Sequence, residues 1–263
     1  MRRTAPLLIL FFLSGVSALI YQVTWVRQAT LVFGVSVYAY SAVLAAFMGG
    51  TALGSIWAAG RVDDHRHPLR LYGLLQAGIA LFGLVSPFLL VALMPVYASA
   101  AHAMDLDSPL VTALRALFSI LVLVPPTFLM GATLPAMARA YAHTRGRVGS
   151  DVGKLYAADT LGAALGCGLT GLFLLRLLGT QQTIFLAAGL NIVAAAGAIL
   201  LARRLGPTTA PSAPAAVPVA RSKQKRTRTA GERSTARLSP AFILGAYAVS
   251  GFAALGYEVV WAR

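Results

Sequence analysis

Apolar residues run along this chain in blocks rather than at intervals. Six stretches are apolar on nearly every face, at roughly 6–31, 37–60, 69–94, 111–141, 154–178 and 182–202. A helix needs about 20 apolar residues to cross about 30 Å of hydrocarbon, so each stretch predicts a membrane-spanning helix. Polar punctuation separates them. A short break falls at Gly34, the loop RVDDHRHP follows the second stretch, and a longer loop at 95–108 holds Asp105 and Asp107. The basic loop HTRGRVGSD follows the fourth stretch. That stretch also contains Pro125-Pro126, which predicts an interrupted backbone ladder, read first as a simple structural kink and alternatively as a broken-helix site of the kind transporters use. Met1-Arg2-Arg3 followed by an apolar run imitates a signal peptide, but the run continues too far, and a retained first helix is expected.

A different texture begins at residue 206. Residues 206–239 are first Pro, Ala, Ser and Thr, then basic with Glu232 as the one acid, so a disordered cytoplasmic linker is expected. The chain then turns apolar again over 240–263. Its last 15 residues, VSGFAALGYEVVWAR at 249–263, repeat LSGVSALIYQVTWVR at 13–27 with 8 identities and a constant offset of 236. An internal repeat at this spacing is too long for a solenoid unit. It predicts a six-helix bundle at 1–205 and the first helix of a truncated second repeat at 240–263.

Composition and charge refine that picture. The chain of 263 residues is 58% hydrophobic and 11% charged, with a mean hydropathy of +0.74; a soluble domain carries about 25% charged residues. The net charge is +14, yet its placement argues against a nucleic-acid partner. Eighteen of the 22 Lys and Arg fall before the first stretch, or in and immediately beside the segments after the second, fourth and sixth stretches. The alternate loops hold none. This asymmetry predicts a cytoplasmic N-terminus. Both copies of the repeat then start on the same side, as parallel rather than inverted repeats. One cysteine, Cys167, leaves no internal disulfide framework, and His65, His67, His102 and His143 show no ligand spacing. No metal and no cofactor are expected.

Four segments, SGVSALIYQVTWVR, FGVSVYAYSAVLAAFMGGTALGS, PPTFLMGATLPAMARAY and VGKLYAADTLGAALGCGLTG, together resemble the fused major-facilitator/spermidine-synthase family of bacterial membrane proteins. The resemblance covers about a third of the chain. It implies an all-α fold, a polytopic transmembrane helix bundle with a major-facilitator-like six-helix half plus the start of a second repeat, in the bacterial inner membrane. In full-length members it implies a soluble aminopropyltransferase domain, which joins decarboxylated S-adenosylmethionine to putrescine. Such chemistry needs a glycine-rich strand–turn–helix and several carboxylates. The chain has 8 acids, none between Asp159 and Glu232, and no such domain is visible in it. The GCGLTG run at 166–171 has no strand before it and is expected to be plain helix. GRVDDHRHPLR at 60–70 is similar to the cytoplasmic bracing loop of major-facilitator transporters.

Two functions emerge as expectations: a carrier for small cationic solutes, or a membrane anchor for an aminopropyltransferase domain. A homo-oligomer is a third arrangement, and the lipid bilayer is a partner in all of them. The candidate substrate or coupling residues are Asp159 with Tyr156 beside it, and Tyr21, Gln22 and Arg27. In the second copy Glu258 stands in place of Gln22. A carboxylate inside a spanning helix costs about 2.5–3.5 kcal/mol, so Asp159 should either face the bundle interior or snorkel and pair with Lys154 or an Arg. Arg27, beside Trp25 and with Tyr21 one turn earlier, reads first as an interfacial anchor; the alternative is that Tyr21, Gln22 and Arg27 face an interior pocket and bind a polar substrate. Gly50-x-x-x-Gly54 and Gly162-x-x-x-Gly166 predict close helix packing.

Overall fold

In the computed structural model, residues 4–33, 37–62, 65–103, 108–141 and 148–205 are described, with isolated helical positions at 245, 249–251 and 253. The five continuous ranges lie within the first of two units, residues 1–211. Each apolar stretch forms a helix, because a backbone with no water available must bond within itself. The helices are α1 (Thr4–Phe33), α2 (Val37–Ala59), α3 (Pro68–Ala103), α4 (Pro109–Tyr141), α5 (Val148–Leu169), α6 (Leu175–Leu177) and α7 (Gly179–Leu205), with a π-helical turn at Thr170–Leu174 between α5 and α6. Six spans among them are long and apolar enough to cross a membrane. The chain is an all-α, multi-pass membrane protein.

Proline corrects two expectations. Residues 95–108 read as a loop, yet α3 continues through Pro87 and Pro95 to Ala103. The predicted break at Pro125-Pro126 is absent too, since α4 runs unbroken through Pro125, Pro126 and Pro135. Each proline removes one ladder bond, whereas ending the helix in an apolar medium would strand several polar groups at once. The Thr127 hydroxyl donates back into the same turn, 2.7 Å from the Leu123 carbonyl and 3.2 Å from that of Val124.

Helix order in space departs from order in sequence. α2 packs along α4, α1 along α5 and α7, and α3 along α4 and α7, while α1 and α2 touch only lightly. The two tightest seams are made of glycine. A Cβ at Gly54 would run into the Phe128 carbonyl, one at Gly131 into the Thr51 carbonyl, and one at Gly50 into the Thr127 hydroxyl. On the α1–α5 seam, Gly162 and Gly166 face the backbone of Phe12 and Val16, and Gly15 faces that of Asp159. Both glycine pairs therefore act as their spacing predicts. GCGLTG is helix, with Gly166 spent on this seam.

α1 and α3 lie parallel in a constant register. Leu10 meets Tyr72, Ser14 meets Gln76, Tyr21 fits over Gly83 and Trp25 meets Ser86. α7 runs antiparallel to α1, with Leu10 against Gly197 and Ser17 against Asn191. α1 is thus the post around which the unit closes: over an 18-residue apolar stretch 56% of it is buried, against 17% of such a stretch within 149–177.

Where α6 ends, Gly179 takes a φ of 74°, in the left-handed region that glycine enters without a Cβ penalty. The chain reverses there into α7.

Candidate functional site

Polar side chains placed mid-span have no water to turn to, so they must find one another. Five such groups find partners between α1, α3 and α7. Gln76 Nε2 donates to Ser14 Oγ at 2.6 Å. Ser17 Oγ donates to the Asn191 Oδ1 atom and also lies 2.9 Å from the Ser14 carbonyl. Tyr72 OH donates to the Leu10 carbonyl at 3.0 Å. Gln76, Tyr72, Ser17 and Asn191 are each no more than 1% exposed. The result is a polar thread from α3 through α1 to α7 inside an apolar bundle.

The thread is not fully satisfied. Gln76 Oε1, Asn191 Nδ2 and the Tyr21 hydroxyl are buried without a hydrogen-bond partner. Tyr21 OH stands beside Asn191, yet the two do not complete a bond. A free amide oxygen, a free amide N–H and a free hydroxyl within one dry region can accept and donate to a small polar guest or a water.

Asp159 lies next to this thread. Its carboxylate faces Gly15 of α1, where a Cβ would lie 3.0 Å from Oδ1, and it is half-buried. It stands within electrostatic reach of Tyr72. Lys154, the partner expected for a snorkelling Asp159, pairs instead with Asp151 at 3.8 Å. Among the described residues Asp159 makes no ion pair.

The other candidates separate. Tyr21 is fully buried, stacked on Trp25 at 4.9 Å and 15°. Trp25 Nε1 donates to Ser86 Oγ at 2.9 Å. These two are core residues, which corrects the interfacial-anchor reading. They are covered because α1 is central, where a helix at the rim would present them to the headgroups. Arg27 points out of the bundle and Gln22 is half-buried, so the grouping of Tyr21, Gln22 and Arg27 in one pocket is not formed. Tyr156, one turn before Asp159, is 63% exposed. Glu258 lies outside the described residues. Interfacial behaviour belongs instead to Trp57 near the end of α2, with the Arg61 guanidinium 5.0 Å above its ring.

A second feature lies one turn beyond Trp25, at the end of the bundle away from the basic segments. Gln28, Pro87, Phe88, Val91 and Gln181 enclose an open cleft of about 260 Å³. The Gln28 Oε1 atom there is buried without a partner.

Sequence reasoning passes over Ser14, Ser17, Tyr72, Gln76 and Asn191. A usable signal exists: Gln76 and Asn191 are amides well inside apolar stretches, the same criterion that selects Asp159. Compared with protein-family models, with characterised proteins and with solved structures, the chain matches none.

The thread yields a prediction with an asymmetry in it. Ser14→Ala leaves both ends of the Gln76 amide unpaired in a dry site and is expected to cost about 1–3 kcal/mol. Gln76→Leu removes the donor and the orphaned acceptor together and leaves only the Ser14 hydroxyl, which can bond back into its own turn, so it should cost less than Ser14→Ala. Unfolding of the two variants in mixed micelles separates them. Equal losses would mean that Gln76 matters through its shape rather than its polarity.

Proposed function

We propose that this membrane protein is a carrier-type region that moves small cationic solutes, within a fused protein of the spermidine-synthase-like kind. The observation supporting this reading is Asp159: a carboxylate set inside a spanning helix, half-buried on the α1–α5 seam, with no cation paired to it among the described residues. Placing an acid there has a cost that a cationic solute or coupling ion would offset. The adjoining thread offers unpaired amide and hydroxyl groups that suit an amine's N–H donors. The N-terminus and the basic segments face the cytoplasm of a bacterial inner membrane in this reading.

The test is uptake of a labelled diamine into vesicles carrying the protein. A hydrogen bond to a charged group contributes about 1.5–3 kcal/mol, so Asp159→Asn should lower uptake about 10- to 100-fold. Arg27→Gln, which faces outward, should leave it near wild type. Uptake unchanged in Asp159→Asn would remove the carboxylate's role. No uptake by the wild type would favour the alternative, a membrane anchor for an aminopropyltransferase domain.

A further inference from the structure

At the end of the bundle carrying the basic segments, four helix termini meet around a small crevice: the starts of α1 and α3 and the ends of α4 and α7. Leu7, Leu69, Ala202 and Leu205 form its apolar floor, and His67 and Arg70 form its rim; its volume is about 30 Å³. That is room for one water-sized group, enough for a headgroup oxygen but not for a chain.

Among the described residues the charges around it are unbalanced. Arg70 is exposed, as are Arg203 and Arg204 in the last turn of α7, and none of the three forms an ion pair among the described residues. The first turn of α3 contains no acid. The one ion pair formed among the described residues joins Lys154 to Asp151 on α5. Asp63 and Asp64 lie outside the described residues.

We propose that this crevice is a binding site for one anionic phospholipid, with the phosphate held by Arg70 and His67 and supported by the charge of Arg203 and Arg204. Charge complementarity calls for an anion. The position calls for a lipid: the site lies at the ends of spanning helices, and its floor of Leu7, Leu69, Ala202 and Leu205 is apolar. A free anion would gain nothing from the half-buried Leu205, whereas the glycerol end of a phospholipid would cover it. Basic pockets between helices at a membrane surface recognise headgroups in this way. The site is separate from Asp159 and from the polar thread, and it stands whether or not the protein is a carrier.

The experiment follows the unfolding temperature of the purified protein in detergent as phosphatidylglycerol is added, beside phosphatidylcholine and inorganic phosphate. Phosphatidylglycerol should stabilise the wild type saturably, and the other two should not. Each basic residue removed should weaken that binding about five-fold, so Arg70→Gln should shift the midpoint five-fold and Arg70→Gln with His67→Gln further. Neutralising the linker by changing Arg221, Lys223, Lys225, Arg226 and Arg228 to Gln should leave the midpoint where it was. An unchanged midpoint in the double variant overturns the proposal, as does loss of the effect in the linker variant. Equal stabilisation by inorganic phosphate or by phosphatidylcholine also overturns it, since the site would then not select an anionic lipid.

Discussion

Trp25→Ala is expected to lower stability by about 3–5 kcal/mol, the largest effect of any single truncation in this bundle. The reason is position rather than size alone. Trp25 is 1% exposed and touches three helices: it stacks on Tyr21 within α1, tilts against Phe47 of α2 at 6.4 Å, and donates to Ser86 of α3 at 2.9 Å. Removing the indole would open a cavity at that junction and remove the stacking surface of Tyr21, whose hydroxyl already lacks a partner. Trp25→Phe separates packing from polarity. It keeps most of the volume and loses the indole N–H, while Ser86 Oγ still donates to the Gly83 carbonyl at 3.0 Å. Its cost should therefore be about 1 kcal/mol. Unfolding in mixed micelles of both variants is the measurement. A Trp25→Ala loss below about 1 kcal/mol would mean that the ring is in contact with lipid and that α1 is not the central helix.

The contrast between Trp25 as read and Trp25 as found shows what the sequence could carry. Helix existence was legible, because about 20 apolar residues in a row leave few alternatives. The seams of Gly50, Gly54, Gly162 and Gly166 were legible too, because glycine four residues apart has one main use in such a helix. Which helix lies at the centre was not. These helices are apolar on all sides, so no polar face marks the outside, and Tyr21 and Trp25 look alike whether they face lipid headgroups or a neighbour. Contact with Gly83 and Ser86 decides the matter, and those residues are far away along the chain. Proline misled for a related reason. In water a Pro-Pro pair ends a helix, whereas between packed helices the alternative to a strained helix is worse, and α4 continues through Pro125 and Pro126.

The candidate site was half legible. Asp159 stood out because a charge inside an apolar stretch is conspicuous. Ser14 and Ser17 did not, since a serine in a spanning helix can bond back to its own turn and need no partner. Their role came from register. The alignment of α1 with α3 sets Ser14 opposite Gln76, and the antiparallel run of α7 sets Ser17 opposite Asn191. The π-turn at Thr170–Leu174 had no visible signal beforehand. There Leu175 N–H reaches back to the Thr170 carbonyl, and Thr170 Oγ1 donates to the Gly166 carbonyl at 2.7 Å. The wider turn rotates α6 relative to α5 just past the last glycine of the α1 seam.

That dependence on glycine leads to the second large effect, at Gly54. A side chain there meets the Phe128 carbonyl of α4, a backbone atom that cannot rotate away as a flexible side-chain end could. Gly54→Ala is expected to cost about 1–3 kcal/mol, and Gly54→Leu more than that, by prising α2 from α4. Gly131→Ala should behave as Gly54→Ala does, because it presses on the Thr51 carbonyl from the opposite helix. Gly168 supplies the control. A Cβ there meets nothing within 4 Å, and replacing a helical glycine by alanine favours the helix by about 0.5–1 kcal/mol, so Gly168→Ala should be neutral or slightly stabilising. Thermal unfolding of the four variants in detergent gives the order. If Gly54→Ala and Gly168→Ala proved alike, α2 and α4 would not be in backbone contact. If Gly54→Ala alone were tolerated while Gly131→Ala was not, the seam would be offset along its axis, and Gly50 against Thr127 would become its closest point.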